Sequence, residues 1–267
     1  MKLIVNNVEA YAYTGGKPFD PALPCVVFIH GAIHDHSDWT LLARWFAHHG
    51  HGVLAVDLPG HARSGGQPLA DMPALARWVL ALLDAVGVER AALVGHSMGS
   101  LIALAAAGLA PQRASHLVML GTAYPMKVSD ALLATARERP LQAIDMVNSF
   151  SHSTWAPKPS YPGPGTWLHG AERALMRRTQ AGQTGLNLFE HDFQLCNSYD
   201  QGLNDAAKLS CPSTLILGTR DQMTSPKQTK ELAAALKAKV LTVDAGHSLM
   251  TEAPEQVLNA MRQALGA

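Results

Sequence analysis

A serine, an aspartate and a histidine stand out in this 267-residue chain by the company they keep. Ser97 lies in Gly95-His96-Ser97-Met98-Gly99, between the apolar run Ala91–Val94 and the alanine- and leucine-rich segment Leu101–Ala107. Strand, sharp turn, helix is the simplest reading of that stretch, and it makes Gly-x-Ser-x-Gly a nucleophile elbow. Such a turn holds its serine in a strained backbone conformation, and a Cβ at either glycine would strike the adjoining strand or helix. Asp221 closes Gly218-Thr219-Arg220-Asp221 after one apolar run, and His247 closes Asp244-Ala245-Gly246-His247 after another. A neutral serine hydroxyl is a weak nucleophile and needs a base. His247 can take its proton near neutral pH. Asp221 can accept the other ring proton, fixing the tautomer and stabilising the imidazolium.

Attack on a carbonyl creates an oxyanion that needs two donors. One is the backbone N–H after the nucleophile, that of Met98. The second is expected from the loop after the Cys25–Ile29 run, at Ala32. Losing one such donor costs about 100- to 1000-fold in rate.

The elements that must hold these groups follow from the apolar pattern. Cys25–Ile29 is a continuous apolar, β-branched run, which suits a strand buried on both faces. Gly52–Val56, Ala91–Val94, Leu117–Leu120, Thr214–Gly218 and Lys239–Val243 read as further strands. Helical segments at Trp39–His48, Met72–Val86, Ser225–Lys237 and Pro254–Leu265 alternate with them, as a parallel sheet with crossover helices requires. Lys2–Val8 and Ala10–Tyr13 have strand composition, with a turn at Asn6-Asn7. The alternation breaks between 123 and 208. That stretch holds helical segments at Asp130–Glu138, Leu141–Phe150 and Ala171–Gln180, a proline-rich loop at Ala156–Gly165, and no strand pattern. The expected organisation is an α/β core of residues 1–122 and 209–267 carrying a helical cap insertion, 123–208, over the site.

Composition narrows the function classes. The apolar fraction is 48%, enough for one substantial core. Lys plus Arg and Asp plus Glu number 21 each, so no charge excess points to a nucleic-acid or anionic-membrane partner. Cys25, Cys196 and Cys211 are scattered and lack metal spacing, as expected in a reducing cytosol. The amino end is a poor signal peptide and no segment is long and apolar enough to span a bilayer, so a cytoplasmic enzyme is expected.

Five pieces in order carry a resemblance. They are His30-Gly31-Ala32 with Trp39 beyond, Asp57-Leu58-Pro59-Gly60-His61-Ala62-Arg63-Ser64, the elbow, Gly218–Asp221, and Gly246-His247 with Glu252 and Pro254 after. The chain resembles the α/β-hydrolase superfamily in its capped esterase and C–C-hydrolase-like branch, from His30 to Pro254 apart from the insertion. The resemblance implies the α/β-hydrolase fold, with a mostly parallel central sheet, flanking helices and a helical cap. It also supports the chain order Ser, Asp, His. Asp244, the rival to Asp221 by sequence, lies too near His247 to match the family's pattern. Dehalogenases and epoxide hydrolases of this fold carry aspartate at the elbow, so Ser97 implies acyl transfer to water. Ala62 stands where the family has glycine, and His34-Asp35-His36 gives the oxyanion loop more charge and imidazole than the family leads one to expect.

Several residues keep two readings. His30 is expected to orient the oxyanion loop, and His96 to pack under the elbow. Asp57 and Arg63 are expected to hold their loop together. Asp35 and His36 divide evenly between loop solvation and substrate contact. Trp155 is a candidate for substrate contact. It shares with Trp167, Met146, Phe150 and Phe189 the alternative of simply filling the insertion's own core. The histidine groups His34/His36 and His48/His49/His51 lack a ligand pattern, so no metal is expected and no cofactor is implied.

The expected function is a serine hydrolase acting on a small to medium, partly apolar, ester-like small molecule through an acyl-enzyme. The same triad also serves C–C bond hydrolysis, lactone or thioester hydrolysis, cofactor-free haloperoxidation and hydroxynitrile lysis. A ligand-binding receptor or regulator on a hydrolase scaffold is the alternative from another class. Monomer and dimer fit the sequence equally.

Overall fold

The computed structural model describes residues 1–154 and 167–267. An eight-stranded sheet runs through it in the order β1-β2-β4-β3-β5-β6-β7-β8. The strands are β1 (Lys2–Val5), β2 (Val8–Tyr13), β3 (Cys25–Ile29), β4 (Gly52–Val56), β5 (Ala91–His96), β6 (Ala114–Leu120), β7 (Ser213–Gly218) and β8 (Lys239–Val243). The first two form an antiparallel hairpin whose turn residues, Asn6 and Asn7, both have positive φ, the two-residue turn that Asn favours. β2 joins β4 antiparallel, and every pairing from β4 to β8 is parallel. This is the expected α/β architecture.

Burial explains why these runs are strands. All five residues of β3 and of β4 are buried, as are all six of β5 and of β7. Alternate residues serve opposite faces. Val27 and Ile29 of β3 pack with α2 (Met72–Ala85) and α3 (Met98–Leu109). Val26 and Phe28 pack with α1 (Thr40–His48) and α11 (Pro254–Leu265) on the other side. A two-residue side-chain period makes that division. α3 is buried nearly all round, from Met98 to Gly108, because it lies between the sheet and further helices.

The 123–208 stretch contributes α4 (Asp130–Glu138), α5 (Pro140–Ser151), α6 (Leu168–Ala181), α7 (Leu188–Ser198) and α8 (Gly202–Ala206). Ile144, Met176, Leu188 and Phe189 form a separate apolar cluster there, which also takes in Ile33 from the β3 loop. Leu195, Cys196, Tyr199 and Ala206 join the main core instead, because the later part of this stretch packs against α3.

Local boundaries differ modestly from expectation. The segment before α1 is a 3-10 turn, His36–Trp39, capped by the Asp35 side chain. The expected Ser225–Lys237 helix is a 3-10 turn, Pro226–Thr229, followed by α9 (Lys230–Leu236). The chain then closes through β8, the short α10 (Leu249–Glu252) and α11. No helix among the described residues is long and apolar enough to cross a membrane. β3 is followed in the chain by β4 on one side of it, and β5 lies on the other. The carboxyl ends of β3 and β5 therefore border the switch point where ligands gather in open parallel sheets.

Candidate active site

Ser97 sits at that switch point. β5 ends at His96, and Ser97 turns the chain into α3 with φ +52° and ψ −120°. Few L-residues adopt this conformation, and it costs of the order of 1–3 kcal/mol. The flanking glycines are required by space. A Cβ on Gly95 would lie 2.0 Å from the Gly99 carbonyl oxygen, and one on Gly99 would lie 2.2 Å from that of Ile29.

His247 follows β8 and is buried. Its Nδ1 is 2.9 Å from Asp221 Oδ2. Asp221 is itself held in place: Oδ1 accepts from the N–H groups of Met223 and Thr224, and Oδ2 accepts from Thr224 Oγ1 at 2.7 Å. Burial opposes its charge, but His247 and these donors outweigh burial and hold the carboxyl below its usual range. Asp244 points elsewhere, to an exposed pair with Arg220 at 2.8 Å. The structure thus brings Asp221, and not Asp244, to the imidazole. Ser97 and His247 line one cavity without a direct hydrogen bond among the described residues.

The two histidines expected to be structural are both neutral braces. His96 Nε2 lies 2.9 Å from the His247 carbonyl oxygen, which can only accept, so that nitrogen carries the proton. Burial, with His247 nearby, pushes His96 down to about 3. His30 Nε2 accepts from Leu58 N–H, and its Nδ1 donates to the Gly31 carbonyl at 2.8 Å. Burial, with His61 nearby, pushes it down to about 4.

Ala32 lines the cavity beside Ser97. Among the described residues, neither its N–H nor that of Met98 has an acceptor. Both are therefore open to a ligand oxygen. The peptide after Ala32 is gripped from two sides. His34 Nδ1 is 2.7 Å from the Ala32 carbonyl, and the Ile33 N–H donates to Asp192 Oδ2 at 2.8 Å.

Asp35 and His36 are not among the residues that line this cavity, and both are engaged in bonds of their own. Asp35 accepts from the Ser37 N–H and hydroxyl and pairs with Arg178 at 3.0 Å. His36 gives both its backbone N–H and Nδ1 to Asp57 Oδ1, each at 2.8 Å. Asp57 also accepts from the Arg63 N–H, so it ties its loop together as expected. The ligand-type atoms of Asp35, His36 and Asp57 lie within 4.8 Å of one another, yet these internal bonds already explain their closeness. Of the two histidines in this loop, His34 is the one that reaches the cavity. Trp155 lies outside the described residues.

The cavity measures about 280 Å³. Met126, Val128, Leu132, Met146, Phe150 and Phe193 make most of it apolar, and His34 and Glu172 make one polar stretch. Met146 and Phe150 are therefore wall residues, whereas Phe189 is fully buried in the helical cluster and Trp167 is exposed off the cavity. Asp192 and Glu172 went unnoticed in the sequence. Glu172 is the one acid of α6 and Asp192 one of two on α7, and no spacing signal links either to the strand loops.

A family model described as alpha/beta hydrolase fold matches residues 24–254. The chain is 29% identical over 256 residues, 92% of its length, to a dihydrolipoyllysine-residue acetyltransferase component of an acetoin-cleaving system from Pseudomonas putida, and spans 63% of that protein. It is 25% identical to the esterase YbfF of Escherichia coli, covering 90% of this chain and 92% of the relative. Among solved structures, the enol-lactonase of Burkholderia xenovorans superposes with a TM-score of 0.84 at 21% identity, covering 100% of both chains.

Proposed function

The chain belongs to the α/β-hydrolase fold family, and from that premise we propose that it is a serine hydrolase cleaving an ester or related acyl bond of a small to medium, partly apolar substrate. The observation that carries the reading is the buried His247–Asp221 pair opening on the cavity that holds Ser97. Similarity to an esterase over nine-tenths of the chain supports the same reaction class.

In this reading the substrate carbonyl lies over Ser97 with its oxygen toward the N–H groups of Ala32 and Met98. His247 Nε2 takes the Ser97 proton as Oγ attacks. Asp221, already ionised, stabilises the imidazolium through Nδ1. The two N–H groups stabilise the oxyanion. His247 then gives the proton to the leaving alcohol, and the acyl-enzyme is released by water through the same steps. Helices α4–α7 act as the cap: apolar side chains of α4, α5 and α7 line the cavity and keep bulk water from the acyl group. The cavity volume limits the substrate to small and medium esters. Lactone hydrolysis is the same chemistry on a cyclic ester.

A fluorophosphonate probe tests the reading. It should label Ser97 and fail to label Ser97→Ala, and p-nitrophenyl esters should be turned over repeatedly by the parent alone. Folded parent protein that neither labels nor turns over esters overturns it.

A further inference from the structure

Glu172, on α6, reaches the polar stretch of the cavity wall and meets three partners there. Oε2 accepts from the hydroxyl of Ser248, the residue after His247. It also lies 3.2 Å from His152 Nε2. Oε1 faces His34 Nε2 at 3.8 Å, too far for a hydrogen bond. His34 Nδ1 is committed to the Ala32 carbonyl. Two atoms thus face each other across the cavity wall, neither with a strong hydrogen bond among the described residues.

Their charge states are complementary. Burial opposes charge on Glu172, but His152 and His34 overcome it and hold the carboxyl well below its usual range. Burial likewise opposes charge on His34, but Asp38 and Glu172 beside it push the imidazole up to about 10. At neutral pH one atom is a charged donor and the other a charged acceptor. By area the rest of the wall is mainly apolar, and of its other polar side chains Lys127, Ser129, Ser151 and Thr224 already hydrogen-bond within the protein.

We propose that His34 Nε2–H and Glu172 Oε1 form a subsite for a hydroxyl group of the substrate. A hydroxyl accepts and donates through one oxygen, which can lie within hydrogen-bond distance of two atoms 3.8 Å apart. A carboxylate there would meet Glu172, and an ammonium would meet the His34 imidazolium. The substrate class is therefore a neutral hydroxy ester: apolar along most of its length, with a hydroxyl on its acyl or alcohol part. The ester part of this statement rests on the hydrolase reading. The hydroxyl part rests on the His34–Glu172 geometry.

The test measures binding without turnover. Ser97→Ala, labelled with nitrogen-15, is titrated with butyl hexanoate, butyl 6-hydroxyhexanoate and 4-hydroxybutyl hexanoate. One hydroxylated ester should bind about tenfold more tightly than butyl hexanoate, as expected for hydrogen bonds to charged partners, and should shift the His34 side-chain nitrogen resonances. That preference should vanish in Ser97→Ala/His34→Phe and shrink in Ser97→Ala/Glu172→Gln. The second double variant decides the matter if the first does not fold. The proposal is overturned if neither hydroxylated ester binds more tightly, or if the preference survives in the double variants. Fluorophosphonate labelling of the parent reports on the hydrolase reading separately, so the two failures are distinguishable.

Discussion

The backbone N–H of Ile33 donates to Asp192 Oδ2 at 2.8 Å across 159 residues of chain. Ile33 has φ +51°, a left-handed conformation that a β-branched residue rarely tolerates. The same carboxylate oxygen is 2.9 Å from His61 Nε2, and both partners are buried. A helix of the 123–208 stretch thus holds the strained residue next to the proposed oxyanion donor Ala32.

Asp192→Ala removes that grip. It leaves His61 without its charge partner and Ile33 without its acceptor. Breaking a buried pair from one side costs about 3 kcal/mol or more, so the melting temperature should fall clearly. If Ala32 is a donor, kcat should also fall by roughly tenfold or more with KM little changed, because only the transition state uses the oxyanion site. Steady-state kinetics below the variant's melting temperature separates the two effects.

The pair also sets a pH window. Burial works against charge on His61, but Asp192 outweighs it and raises His61 above 6.5. Its stabilising contribution is complete below pH 6.5 and is lost as the pH rises through the higher folded value. Burial works against charge on Asp192 too, yet His61 and the Ile33 N–H hold it below 3.8. Its contribution is present above pH 3.8 and is lost as the pH falls through the lower folded value. The stability difference between the parent and Asp192→Asn should therefore be largest between about pH 4 and 6.5. Chemical denaturation across pH 3–9 checks this; a flat difference overturns it.

Asp221→Asn keeps the shape of the side chain but not its charge. In the serine-hydrolase reading the imidazole then loses its stabilising partner and its fixed tautomer. A fall in kcat of about 10⁴-fold is expected, by analogy with the same change in another Ser-His-Asp enzyme. The comparison variant is Asp244→Asn, whose exposed pair with Arg220 should leave kcat within about twofold.

The elbow stores strain that glycine can release. Ser97→Gly and Ser97→Ala both remove the hydroxyl, but only glycine accepts φ +52° freely. Ser97→Gly should be more stable than Ser97→Ala by about 1 kcal/mol, the strain less glycine's greater loss of backbone freedom. Urea denaturation of the two variants measures the difference.

The local pattern was enough to locate the sheet, the elbow and the order of the three candidate residues. Uninterrupted apolar runs become fully buried strands, as in β3 and β5. Glycines at 95 and 99 mark a turn too crowded for a Cβ. Those signals live within a few residues of chain, so periodicity and turn chemistry can carry them. The choice of His34 over Asp35 and His36 for the cavity was not legible. The three are neighbours in one loop, and where each points depends on Asp57, Arg178 and the Ala32 carbonyl. Glu172 and Asp192 were invisible for a stronger reason. A helix surface carries acids for solubility as readily as for contact, and nothing local distinguishes them. Only the packing of α6 and α7 over the strand loops brings Glu172 to His34 and Asp192 to Ile33. The chemistry available at Ser97 was written locally, whereas the shape and polarity of its cavity come from helices that meet it only in three dimensions.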